Sequence, residues 1–171
     1  PQMLSWYEMK KKKCFQYTGA LVLGMHDALV ELSGIIAGLT FAIEDRRIII
    51  MTGAIAAVAA SLSMAAANYQ AQRADNNPCA GMAAFYTGVM YVATSAMLIF
   101  PFTIIPNRFW ALAIMALFAV LIIFGFNCAM GYATRQPFMK RFIEMLTICM
   151  GVSIASFAIG LAAKYFMGVT I

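Results

Sequence analysis

GMHDALVELSGIIAG, residues 24–38, sets two carboxylates inside an apolar run long enough to cross a bilayer. Asp27 and Glu31 stand four residues apart, so on a helix they share one face, and Gly34 and Gly38 continue that face as a small-residue groove. A carboxylate at mid-bilayer costs about 2.5–3.5 kcal/mol on insertion scales. It is therefore neutralised by a proton, a basic partner or a bound cation, and the rest of the chain decides among these.

Of the 171 residues, 63% are hydrophobic and 11% charged, where a soluble domain carries roughly a quarter charged. Apolar runs at about 18–43, 47–71, 81–105, 108–132 and 142–167 each reach membrane-spanning length. The fold class is all-α, a polytopic membrane protein with five transmembrane helices; continuous rather than alternating apolarity excludes a barrel. Residues 1–17 form a basic interfacial segment, in which Trp6, Tyr7 and Lys10–Lys13 suit the headgroup level, and 18–171 form the transmembrane domain. The first run is too long for a signal-peptide core and a second span follows at once. The opening on Pro1, with no initiator Met, reads as a processed chain or a portion of something longer.

Lys10, Lys11, Lys12, Lys13, Arg73, Arg135, Lys140 and Arg141 fall on one side of the bilayer, and Arg46, Arg47, Arg108 and Lys164 on the other. That bias gives an N-in, C-out topology. The net charge of +5 is accounted for by topology and lipid headgroups, so no nucleic-acid partner is expected. Cys14, Cys79, Cys128 and Cys149 show no zinc-ligand spacing and read as free thiols.

The turn Glu44-Asp45-Arg46-Arg47 admits only an antiparallel hairpin between spans one and two. Both helices rise ~1.5 Å per residue, so Asp27 faces the level of Met64. Span two is crowded with small residues that permit close helix approach, and Met64, Asn68 and Gln72 follow one another at helical spacing. Pro101 and Pro106 break or kink the outer end of span three. In span four Asn127 reads as an interhelical hydrogen-bonding amide. In span five Glu144 pairs most simply with Arg141 or Lys140, while Gly151, Ser153, Ser156 and Gly160 form a packing seam. Lys164 and Tyr165 anchor the outer end of that span.

GMHDALVELSGIIAGL (24–39) followed by SLSMAAANY (61–69) resembles the vacuolar iron transporter family, and the five-span layout fits along the whole chain. The resemblance implies a homodimer of five-helix subunits that moves ferrous iron, and often manganese, out of the cytosol in exchange for protons. It implies a mid-membrane metal site built on Asp27 and Met64. The chain departs from the plant and fungal pattern in the short loop 72–80, which leaves no room for their cytoplasmic metal-collecting insert. Asn68 stands where the family commonly has Glu, and His26 where a small or amide residue is usual. Some prokaryotic relatives carry a rubrerythrin-like domain ahead of the membrane part, and the start at Pro1 is compatible with its loss. Asp27 and Met64 are untouched by these departures.

The residues argue independently toward the same chemistry. No Lys or Arg lies deep in any span, so Asp27 and Glu31 lack a fixed basic partner and are neutralised by a proton or a mobile cation. Burial favours the protonated carboxyl and a divalent cation the ionised one, so metal binding expels protons, as an exchanger requires. Carboxylates alone suit magnesium or calcium; the Met64 thioether moves preference toward transition metals such as ferrous iron, with Mn2+ and Co2+ as further candidates. Asp27 is then the principal ligand and proton acceptor, Met64 the selectivity ligand and Glu31 a second acidic station, with Asn68, His26 and Glu144 as accessory candidates. In a twofold dimer each ligand occurs twice and one ion is held without being trapped.

With one His, no nucleophile–base pair and no phosphate-binding loop, the chain is not expected to be an enzyme or to hold a permanently bound cofactor; Fe2+ or Mn2+ is substrate. Its partners are divalent ions, protons, the bilayer and a second copy, and a prokaryotic plasma membrane is the expected location. The competing reading is a non-transporting membrane anchor or subunit for a soluble metal-handling domain.

Overall fold

The computed structural model describes the backbone of residues 2–134 and 138–167, and the side chains of 17–128, 139, 142–162 and 165. Helices α1 (Gln2–Ala42), α2 (Arg46–Ala74), α3 (Ala80–Ile104), α4 (Arg108–Thr134) and α5 (Phe138–Met167) follow in order. All five contain stretches long and apolar enough to cross a membrane: Tyr17–Ala42, Arg46–Ala74, Ala80–Ile104, Arg108–Cys128 and Phe142–Ala162. Helix α1 is continuous from Gln2, so the backbone of the basic segment belongs to the same helix as the first span. The side chains of Trp6, Tyr7, Lys10–Lys13, Cys14, Arg135, Lys140, Arg141 and Lys164 lie outside the described residues.

Local chemistry sets the helix ends. The Asp45 side chain accepts from the Arg47 amide at 2.8 Å, capping α2 within the expected hairpin turn. After α2, Asn76 takes a positive φ of 54°, a conformation that Asn tolerates better than most residues. Pro101 lies within α3, whose helix continues to Ile104. The Ile105 amide still reaches the Pro101 carbonyl at 2.9 Å, and Pro106 lies beyond the end. At this end Arg46 donates to the carbonyls of Phe102 and Ile105 at 3.4 and 3.2 Å. Arg108 donates to the Ile43 carbonyl at 2.8 Å and stands 3.5 Å from Glu44. Two arginines thus satisfy carbonyls that helix ends leave open.

Helix α1 is the hub, touching all four of the others, while α2 packs chiefly on α3. Met25, Leu29, Leu32 and Ile36 of α1 meet Leu98, Phe102, Met115 and Ile123 in a buried core. Small residues let backbones approach where α1 crosses its neighbours. A Cβ on Gly24 would collide with the Thr87 carbonyl oxygen of α3. A Cβ on Gly38 would lie 3.1 Å from the Ser156 carbonyl oxygen, and one on Gly160 would lie 2.7 Å from the Gly38 carbonyl oxygen.

The groove of Gly34 and Gly38 is therefore filled by α5 of the same chain. Of the seam expected on α5, Ser156 and Gly160 make this crossing, whereas a Cβ on Gly151 would have nothing within 4 Å. Met51, Ile55, Val58 and Leu62 are exposed along the outer stripe of α2, as suits a helix against lipid. Cys79, Cys128 and Cys149 are free thiols.

Candidate metal site on the first helix

Asp27 and Glu31 bracket the midpoint of the α1 span Tyr17–Ala42. On the opposite face α1 is buried through Met25, Ala28, Leu29 and Leu32. The acidic face is open: Leu23 and Glu31 are exposed and Asp27 is half-buried. One turn farther along, α5 closes over Gly34 and Gly38. The opening is thus confined to the half of α1 that carries the carboxylates.

The Tyr91 hydroxyl donates to Oε2 of Glu31 at 2.9 Å, from a side chain that is fully buried. A buried ring has little freedom, so it fixes the carboxylate it holds. One turn before it, Thr87 accepts from Nδ2 of Asn68 at 2.6 Å and lies 3.1 Å from the Ala20 carbonyl oxygen. One turn beyond, the buried Ser95 hydroxyl has no hydrogen-bond partner among the described residues. Thr87, Tyr91 and Ser95 recur at a spacing of four, a hydroxyl stripe inside an apolar span. The spacing was readable in the sequence, but the contact with Glu31 spans 60 residues and no local pattern announces it.

Tyr91→Phe should keep the ring and its packing while removing a hydrogen bond to a carboxylate, which is worth about 1.5–3 kcal/mol. Metal uptake into proteoliposomes is expected to fall roughly tenfold, with the melting temperature changed little. Unchanged uptake would exclude Tyr91 from the site.

Met64 is half-buried on the inward arc of α2, which also carries Gly53, Ala57, Ser61 and Asn68. Asp27 and Glu31 have no ion-pair partner among the described residues. Nor do any three His, Cys, Asp or Glu side chains among them stand together as a metal-holding group.

Asn68, an accessory candidate, is buried and committed to packing. Its Nδ2 donates to Thr87 and to the Ala83 carbonyl at 3.3 Å, and its Oδ1 accepts from Gln72 at 3.5 Å. This amide joins α2 to α3. His26 and Glu144 are brought together elsewhere, around a cavity between α1, α4 and α5. The basic residues expected to pair with Glu144 lie outside the described side chains. Asn127 makes its expected interhelical bond, Nδ2 donating to the Met145 sulfur at 3.3 Å.

A model of the VIT family matches residues 18–82. The matched segment takes in the spanning part of α1, all of α2 and the first residues of α3, and so encloses Asp27, Glu31, Met64 and Asn68. Tyr91, Asn127 and Glu144 fall beyond it. No curated protein matches the chain.

Proposed function

Since the match over residues 18–82 supports membership of the vacuolar iron transporter family, we propose that this membrane protein exports a divalent transition metal, ferrous iron or manganese, from the cytosol in exchange for protons. The observation that carries the proposal is the open acidic face at the middle of α1. Two carboxylates lie there without a basic partner among the described residues, one of them held by a buried tyrosine hydroxyl. Lipid does not tolerate an exposed carboxylate such as Glu31 at this depth. A water-filled path or a second copy of the chain must cover it, which favours a homodimer with α1 near its axis.

In this reading Asp27 binds the ion and takes up a proton when the ion leaves. Glu31, positioned by Tyr91, is the next carboxylate along the same face. Met64 supplies the soft donor that discriminates iron and manganese from magnesium. Waters and the partner's equivalent groups complete the shell.

The test is ferrous-iron uptake into proteoliposomes under an imposed pH gradient, with lumenal pH followed together with metal. Gradient-dependent uptake with opposed proton movement is the expected result. A folded chain that moves no divalent metal would overturn the proposal in favour of a membrane anchor.

Met64→Leu keeps volume and removes sulfur. It should lower the preference for iron over magnesium by roughly tenfold while leaving the fold intact. Competition between the two ions in the same vesicles measures it.

A further inference from the structure

On the side of α1 away from the open acidic face, a cavity of about 290 Å³ lies among α1, α4 and α5. Val22, Phe126, Met145 and Ile148 form its apolar walls, and His26, Asn127 and Glu144 its polar lining. The cavity opens at Glu144, which is exposed, while His26 is half-buried; polar side chains lining a space between membrane-spanning helices are costly unless they are used. His26 and Glu144 have no hydrogen-bond or ion-pair partner among the described residues. Asn127 is buried, and its Nδ2 is spent on the Ile123 carbonyl at 2.8 Å and the Met145 sulfur at 3.3 Å. That orients the amide and leaves its Oδ1 with no donor among the described residues.

We propose that the cavity bounded by His26, Asn127 and Glu144 is a second divalent transition-metal site, separate from the acidic face of α1. An imidazole nitrogen, a carboxylate and an amide oxygen form a borderline N/O donor set that suits such ions better than magnesium or calcium. The volume exceeds the roughly 30 Å³ that one water occupies in the liquid several-fold, so an ion enters with part of its hydration. Met145 serves as the orienting partner of Asn127.

Glu144 lies near the start of the spanning part of α5, Phe142–Ala162. The cavity is therefore toward the end of the bundle at which the chain enters α1. Successive residues on a helix are about 100° apart, so His26 and the adjacent Asp27 serve different sides of one helix. The proposal rests on this geometry and not on transport.

His26 is the only histidine of the chain, so its imidazole is a direct probe in untagged protein. Full-length protein labelled with 15N-histidine is purified in detergent, and Zn2+ is added in steps at fixed pH. The imidazole nitrogen resonances should shift to saturation in the native chain and equally in Asp27→Asn. In Glu144→Gln the half-saturating Zn2+ concentration should rise at least roughly tenfold. Unmoved resonances in the native chain would overturn the proposal without any variant. Loss of the shift in folded Asp27→Asn would assign His26 to the acidic face and overturn it too, as would an unchanged half-saturation in Glu144→Gln. Failure of metal uptake with the Zn2+ shift intact would remove the transport reading and leave this site standing.

Discussion

Asp27→Asn is expected to abolish metal uptake, by on the order of 100-fold or more, while leaving the protein folded. The side chain keeps its size and loses its charge, so packing around the half-buried residue is conserved. The energetics of the empty site move the other way. An ionised carboxylate at mid-membrane costs about 2.5–3.5 kcal/mol, and the amide removes that cost. The melting temperature of the purified variant should hold or rise.

Under the proposed function the loss arises because a divalent ion no longer meets an anionic ligand there, and because an amide, unlike a carboxyl, does not titrate. At about 1.36 kcal/mol per decade, a loss of some 3 kcal/mol of ion binding is roughly a hundredfold. Uptake and proton movement should disappear together. A folded Asp27→Asn chain with native uptake would show that the ion passes without this carboxylate. Correct folding with no uptake, in vesicles where the native chain does transport, separates a transporter from a membrane anchor.

Gly24→Ala is expected to be the most damaging single-methyl change for stability. The added carbon would meet the Thr87 carbonyl oxygen of α3, and backbone cannot rotate out of the way as a side chain can. Helix α1 must then move off α3. That movement strains the contact of Thr87 with the Ala20 carbonyl at 3.1 Å and the hold of Tyr91 on Glu31 at 2.9 Å. Overpacking of this kind costs about 1–3 kcal/mol. A drop of several degrees in the melting temperature should be accompanied by reduced uptake, since the same crossing positions Glu31.

Gly151→Ala is the control. Nothing lies within 4 Å of the new carbon, and alanine is the better helix former by about 1 kcal/mol, so stability should hold or improve. Equal effects of the two changes would mean that α1 and α3 do not cross as tightly as the structure has them.

Apolar run lengths carried the element order, because the bilayer sets a minimum span and helices satisfy their own backbone. The hairpin turn at Asp45 and the stop at Pro106 were equally local and equally legible. Two parts of the candidate site were not. Gly34 and Gly38 showed as a small-residue groove, but a groove does not name its occupant. The register of Ser156 and Gly160, more than a hundred residues on, decided that α5 fills it. Tyr91 carries no local signal of its own, and its hydroxyl acquires a role only because α3 crosses α1 with Thr87 against Gly24.

The sequence by itself determined the membrane-spanning helices, the two carboxylates at the middle of the first, and the likeness carried by residues 24–39 and 61–69. These are matters of composition and spacing, which the bilayer's low polarity turns into structure directly. Only the tertiary structure decided which face of α1 stays open, that Tyr91 holds Glu31, that Asn68 is spent on Thr87, and that His26 and Glu144 share a cavity. In hydrocarbon no hydrophobic force selects one helix face over another, so the partner of each face is set by close packing and interhelical hydrogen bonds. Those depend on residues far apart in the chain.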